Sequence, residues 1–197
     1  GTAYWALVRS AAVRSIPTSF ASSVLIGVGP LIRPDLALYS AGFLVAFVYL
    51  YLSADRARSW RGATLLLGAA AAIPVAYQIF RMGYYAALVP NTAFAKEASS
   101  SHWHQGWLYL VDFVEPYRLW LPLAAVLGYW AVSTTTLARR ADWRGVALLV
   151  VPVLTGTLHT LYVARVGGDF MHGRLLLPAL FALLLPLFVV DVPLNRR

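Results

Sequence analysis

The sequence predicts an all-α, polytopic transmembrane helical bundle, and three observations carry that prediction. Sixty per cent of the residues are hydrophobic and only 12% are charged, with a mean hydropathy of +0.67, well away from the roughly half-apolar, quarter-charged balance of soluble domains. Apolar runs of about bilayer length recur along the chain, separated by shorter polar stretches. The cations are shared unequally between alternate stretches, as they are in membrane proteins. About six crossings are expected, together with a long external loop that is re-entrant or amphipathic.

Taken in order, Phe20 to Ile32 is the first apolar run, short for a bilayer and interrupted by Gly27, Gly29 and Pro30. Leu36 to Ser53, Gly62 to Phe80, Leu119 to Ala138, Gly145 to Ala164 and Leu175 to Val190 supply the other five. Ser59-Trp-Arg-Gly62 and Asp142-Trp-Arg-Gly145 each open an apolar helix and read as interface anchors, since tryptophan and arginine settle at headgroup level. Arg81 to Arg118 is the long loop. Within it Trp107, Leu110, Val111 and Val114 fall on one helical face, which predicts an amphipathic helix over Gly106 to Pro116 lying on the membrane. Ser99 to His104 reads as a mobile link.

Loop charge sets the orientation. Arg9, Arg14, Arg56, Arg58, Arg61, Arg139, Arg140, Arg144, Arg196 and Arg197 share one side with Asp55, Asp142 and Asp191, a net of +7. Arg33, Arg81, Lys96, Arg118, Arg165 and Arg174 share the other with Asp35, Glu97, Asp112, Glu115 and Asp169, a net of +1. Short cytoplasmic loops carry the excess of arginine, so the first side is cytoplasmic. The overall charge of +8 is therefore a topology signal. No basic run with interleaved aromatics in a polar context accompanies it, so no nucleic-acid partner is expected. There is no cysteine, which excludes disulfides and thiolate metal sites, and the four histidines are not spaced as zinc ligands. Without an initiator methionine or a signal-like layout at Gly1 to Arg9, the chain is expected to be an internal segment of a longer protein.

The chemically varied residues all fall on the outer side. In Arg81 to Lys96, Pro90-Asn91 breaks any helix begun at Arg81, and Asn91 can cap a new turn toward Lys96. Backbone N–H groups beside a lysine suit an anion such as phosphate, although an interface-anchoring loop would use the same residues. In Arg165 to Arg174, Gly167 and Gly168 free the backbone to take positive φ, and Asp169, His172 and Arg174 follow. Asp169 can bind sugar hydroxyls, hold a divalent cation or act as a base, and Arg174 can bind phosphate; equally, the two can form an ion pair that closes a tight turn. Arg33-Pro34-Asp35 carries the same pair of readings. His159, in an apolar run beside Thr155 and Thr160, is expected to make an interhelical hydrogen bond rather than to ligate.

Tyr84-Tyr85, Leu88-Val-Pro-Asn-Thr92 with Ala95-Lys96, and Gly167-Gly-Asp-Phe-Met171 with Gly173-Arg174 and Pro178 resemble the motifs of mycobacterial and actinobacterial arabinofuranosyltransferases of the AftB type. Those enzymes belong to the GT-C class of polyprenyl-phosphate-sugar-dependent glycosyltransferases. Arg33-Pro34-Asp35 is similar to an element that recurs in multi-pass GT-C enzymes. The resemblance covers roughly Ile16 to Pro178.

It implies that residues 1–197 are part of one transmembrane GT-C-like domain of a multi-pass plasma-membrane protein, with residues 81–118 an external loop carrying interfacial helices. It further implies a decaprenyl-phosphoryl-arabinofuranose donor, an arabinan acceptor of cell-wall arabinogalactan or lipoarabinomannan, and inverting transfer at the periplasmic face. Arg33, Arg81, Lys96 and Arg174 are the residues expected to bind donor phosphate. Asp35, Tyr84, Tyr85, Asn91, Thr92, Asp169 and His172 are expected to bind sugar. The catalytic base and a soluble C-terminal domain are expected outside this chain, in the first external loop and downstream respectively. No particular cofactor is implied; a divalent cation, which Asp169 could hold, is the one candidate. A transporter or flippase of lipid-linked sugars is the competing reading, with a scaffolding subunit as a third; against the transporter, the charges sit at helix ends rather than midspan.

Overall fold

The computed structural model describes residues 2–12, 16–53, 59–85 and 101–188. Among them every regular element is a helix, the arrangement that satisfies backbone N–H and C=O groups within a single segment in lipid. Four helical stretches are long and apolar enough to cross a membrane: Pro34–Leu52, Trp60–Tyr85, Trp120–Arg139 and Trp143–Val166. The other two expected crossings are represented by shorter apolar helices, Ser19–Ile32 and Leu177–Leu187. Six full-length crossings are therefore not reached among the described residues. Gly27 to Pro30 interrupts the first of these two, and the second tightens to a 3₁₀ turn, Leu185–Phe188, around Pro186, since proline removes a helix donor.

The chain divides into two compact units, Gly1–Lys96 and Glu97–Arg197. The first holds α1 (Thr2–Ala12), α2 (Ile16–Gly27), α3 (Gly29–Ile32), a 3₁₀ turn (Pro34–Leu36), α4 (Ala37–Leu52) and α5 (Trp60–Tyr85). Small residues let these helices approach closely, as membrane helices do. A Cβ on Gly27 of α2 would run into the Ala70 backbone of α5. The Ser23 hydroxyl donates to the Leu66 carbonyl across the same contact, and Ser40 donates to the Ile26 carbonyl at 2.7 Å. Helix α1 is an element that the sequence reading did not foresee: its Tyr4, Ala6 and Leu7 are buried, with the Tyr4 ring 6.0 Å from that of Phe43. Helix α5 runs past the expected end at Phe80 to Tyr85.

The second unit holds α6 (Trp103–Val114), α7 (Trp120–Arg139), α8 (Trp143–Val166), α9 (Leu177–Leu184) and the closing 3₁₀ turn. Helix α8 is its centre, packed by α6, α7 and α9. Gly106 of α6 lies directly on the Ala164 backbone of α8, and Trp130 of α7 donates through Nε1 to the Leu183 carbonyl at 2.9 Å. His159 is fully buried, with Nε2 3.0 Å from the Leu175 carbonyl; Leu175 lies in the turn before α9, so the expected hydrogen bond runs from helix to turn rather than between two helices.

One expectation about the external loop is corrected. Trp103 and His104, read as part of a mobile link, already belong to α6, whose start is tied to the end of α8 by the His102 N–H donating to the Arg165 carbonyl at 2.7 Å; Ser99 and Ser100 lie outside the described residues. The face of α6 that packs on the protein is distinct from the Trp107 and Val111 edge of the expected membrane-facing stripe. Gly106, Tyr109 and Phe113 are buried, whereas Trp107 is 64% exposed and Val111 is exposed too. Leu110 and Val114 of the expected stripe do pack, against a core of Tyr109, Phe113, Val163 and Leu176. The aromatic rings and the glycine that fits under α8 set the inward face.

The two Trp-Arg-Gly openings turn out to share a cap. Asp142 accepts from the Gly145 N–H at 2.9 Å, and the Ser59 hydroxyl accepts from the Gly62 N–H in a longer, 3.4 Å contact. Each short polar side chain meets a donor that the first helical turn leaves unpaired, while Trp60 and Trp143 stay exposed as expected of interface anchors.

Candidate functional site

At its C-terminal end α8 stops on two glycines. The N–H groups of Gly167 and Gly168 both turn back to the Val163 carbonyl, with φ of 87° and 80°, conformations that cost a side-chain-bearing residue energy and glycine almost none. The reversal delivers Asp169 into a covered position. Its side chain is 3% exposed, its Oδ1 accepts from the Phe170 N–H at 2.9 Å, and its Oδ2 lies 3.6 Å from Arg174 Nε. Arg174 is half-exposed and also donates from Nη1 toward Met171 Sδ at 3.1 Å. Gly173, with φ of 64°, closes the turn over the Phe113 ring, where a Cβ would collide.

Helix α6 forms the opposite wall. Tyr109 donates from its hydroxyl to the Met171 carbonyl at 2.9 Å and accepts there from the Leu175 N–H at 3.2 Å. Asp112 Oδ2 meets His172 Nδ1 at 2.8 Å, with the Phe113 and Tyr117 rings 6.2 and 6.1 Å from the imidazole. Between helix and turn lies a cleft of about 580 Å³, lined by Gln105, Leu108, Tyr109, Val111, Asp112, Glu115, Pro116, Gly167 and Asp169. Three carboxylates and an amide stand among apolar and aromatic surfaces, with no lysine or arginine among the described residues of the lining. Such a wall offers acceptors to hydroxyl groups and flat apolar patches to a sugar ring, whereas a phosphate would meet repulsion from the carboxylates. Among the described residues no group of three or more His, Asp and Glu is arranged to hold a metal ion.

The structure thus brings Asp169, His172 and Arg174 together in one turn and adds Gln105, Tyr109, Asp112 and Glu115, which the sequence reading did not single out. A signal for them existed: Gln105, Tyr109 and Asp112 recur at helical spacing, beside the glycine at 106. The other expected residues belong to the first unit. Arg33 and Asp35 pair with each other, Nε to Oδ1 at 3.1 Å and Nη2 to Oδ2 at 2.8 Å, a two-point geometry that leaves the guanidinium well satisfied. Arg81, Tyr84 and Tyr85 stand on the last turns of α5, with the Tyr84 ring stacked on Phe80 at 5.9 Å and edge-on to Tyr85 at 4.8 Å. Asn91, Thr92 and Lys96 lie outside the described residues.

The chain is 46% identical over 182 residues to a terminal β-(1→2)-arabinofuranosyltransferase of Corynebacterium glutamicum, a match covering 87% of the chain and 25% of the relative. It is 37% identical over 213 residues to the protein of the same name from Mycobacterium tuberculosis, covering 98% of the chain and 33% of the relative. The chain is homologous to part of these arabinofuranosyltransferases. It spans a quarter to a third of their length. The Mycobacterium match covers 98% of the chain and so runs through both units. No protein-family model matches the chain, and no solved structure does.

Proposed function

We propose that the chain is part of a GT-C-class membrane glycosyltransferase that transfers arabinofuranose from decaprenyl-phosphoryl-arabinofuranose to terminal arabinan of cell-wall arabinogalactan or lipoarabinomannan. The work is done at the periplasmic face of the plasma membrane. The observation that carries the reading is homology along nearly the whole chain to two proteins named for terminal β-(1→2)-arabinofuranosyl transfer. The spanning-length helices support the membrane setting, and the loop-charge asymmetry supports the side.

In this reading the cleft between α6 and the Gly167–Arg174 turn receives sugar, its carboxylates and Gln105 accepting from hydroxyl groups. An acceptor hydroxyl oxygen attacks the anomeric carbon, the bond to the lipid phosphate oxygen breaks with inversion, and the hydroxyl proton passes to a carboxylate base. Lipid phosphate is a good leaving group and needs charge stabilisation rather than a proton. Lys96, Arg33, Arg81 and Arg174 are the candidates for that stabilisation, while Tyr84, Tyr85, Asn91 and Thr92 are candidates for sugar contact. The test is an assay of the full-length protein in detergent or nanodiscs with polyprenyl-phosphoryl-arabinofuranose and an arabinan fragment. Arabinosyl transfer is expected, and substrate translocation without transfer would overturn the reading in favour of a transporter.

A further inference from the structure

One side chain holds both flanks of Asp169. The Tyr109 ring lies directly beneath Gly168, the residue before Asp169, so closely that a Cβ on that glycine would enter the ring. Beyond Asp169, the Tyr109 hydroxyl donates to the Met171 carbonyl at 2.9 Å and accepts from the Leu175 N–H at 3.2 Å. The residues between those two backbone groups are His172, Gly173 and Arg174, so the hydroxyl closes the loop that carries the cation facing Asp169. The tyrosine is 9% exposed and sits in the core shared by α6 and α8. Gly106, one turn earlier, lies on the α8 backbone, so the ring is fixed to the helix that ends in the Gly167-Gly168 reversal. Local sequence alone does not hold the turn in place, because three of its residues are glycines with positive φ and glycine confers little conformational bias.

We propose that Tyr109 is the positioning residue of the sugar-handling turn: it fixes the Asp169 carboxylate at the edge of the cleft by binding the backbone on both sides of it. The inference rests on the proposed function, in which Asp169 takes part in transfer. Loss of the hydroxyl leaves the ring floor in place but frees the Met171 and Leu175 backbone groups, so the carboxylate loses its fixed placement while the helices remain packed.

The test compares Tyr109→Phe, Asp169→Asn and the double variant in the full-length protein, with polyprenyl-phosphoryl-arabinofuranose and an arabinan fragment as substrates. Tyr109→Phe should lower kcat roughly tenfold, the scale of one or two lost hydrogen bonds, with KM for the lipid donor and the thermal midpoint little changed. In the Asp169→Asn background it should have almost no further effect, because two residues acting as a unit are non-additive. A multiplicative loss in the double variant, or normal kcat in Tyr109→Phe beside an impaired Asp169→Asn, overturns the positioning role and leaves the proposed function intact. Near-normal transfer by Asp169→Asn takes Asp169 out of the reaction and overturns the positioning role, while the transfer itself still supports the proposed function. If the phenylalanine variant does not fold, p-aminophenylalanine at position 109, which keeps a weaker donor and acceptor, is compared instead. Intermediate kcat at normal stability supports the role, and wild-type kcat overturns it.

Discussion

Arg174 Nε stands 3.6 Å from Asp169 Oδ2, and the two side chains are covered very unequally, 51% against 3% exposed. At that distance the contact is electrostatic rather than a short hydrogen bond. The carboxylate is held by its own backbone, through Phe170 N–H, at least as firmly as by the arginine. An ion pair with one solvated member contributes about 0–1 kcal/mol, so stability alone gives little reason for burying the acid beside a cleft. Under the proposed function, Asp169→Asn is expected to leave the thermal midpoint of the full-length protein within a few degrees of wild type while arabinosyl transfer falls roughly a hundredfold, the scale of a lost transition-state contact. Near-normal transfer would leave the pair with a purely structural role.

Gly168 is held by both its φ of 80° and the ring beneath it. Alanine there carries the left-handed penalty of roughly 1–2 kcal/mol and must also displace Tyr109. Gly68 of α5 provides the contrast, since a Cβ there meets nothing within 4 Å among the described residues, and replacing a mid-helix glycine by alanine gains about 0.5–1 kcal/mol. Thermal unfolding in detergent should therefore show Gly168→Ala below wild type and Gly68→Ala at or above it. Equal midpoints for the two variants would mean that the turn tolerates a side chain.

The contact between His172 and Asp112 bridges the turn and α6, but both side chains are well exposed. A double-mutant cycle with His172→Gln and Asp112→Asn should give a coupling below about 1 kcal/mol that shrinks further in 0.5 M salt. A coupling that is larger and insensitive to salt would show a contact shielded from solvent, closing the cleft in the membrane-embedded protein.

Orientation is open to direct measurement because the chain has no cysteine. With any cysteines elsewhere in the full-length protein replaced, a cysteine at the exposed Ser101 should react with a membrane-impermeant thiol reagent in intact cells. One at the exposed Ser59 should react only after permeabilisation. The opposite labelling would invert the assignment of faces and move the cleft to the cytoplasm.

The long helices were legible in the sequence because a bilayer selects for one simple property, sustained apolarity over about 20 residues. All four spanning-length helices, Pro34–Leu52, Trp60–Tyr85, Trp120–Arg139 and Trp143–Val166, contain the whole or all but one residue of an expected run. Ends were harder to place, because apolarity says where lipid begins and not where hydrogen bonding stops. Helix α5 accordingly carries its ladder five residues past Phe80, and the caps at Ser59 and Asp142 begin helices before the apolar run does. Helix α1 escaped notice because its run is too short to stand out as a span, although its tyrosine and leucine are buried.

The sequence by itself determined the membrane class, the positions of the long helices and the reversal at Gly167-Gly168-Asp169, since each follows from properties of consecutive residues: apolarity, glycine freedom and a following carboxylate. Only the tertiary structure decided what that carboxylate faces. Tyr109 and Asp112 come within hydrogen-bonding reach of Met171 and His172 from about sixty positions away. That meeting depends on which face of α6 turns inward, and the choice was made by Gly106 fitting against the Ala164 backbone and two aromatic rings filling the space beyond it. Steric fit between two helices belongs to the pair and cannot be read from either one, because an amphipathic pattern gives the width of an apolar face but not the partner surface that fits it.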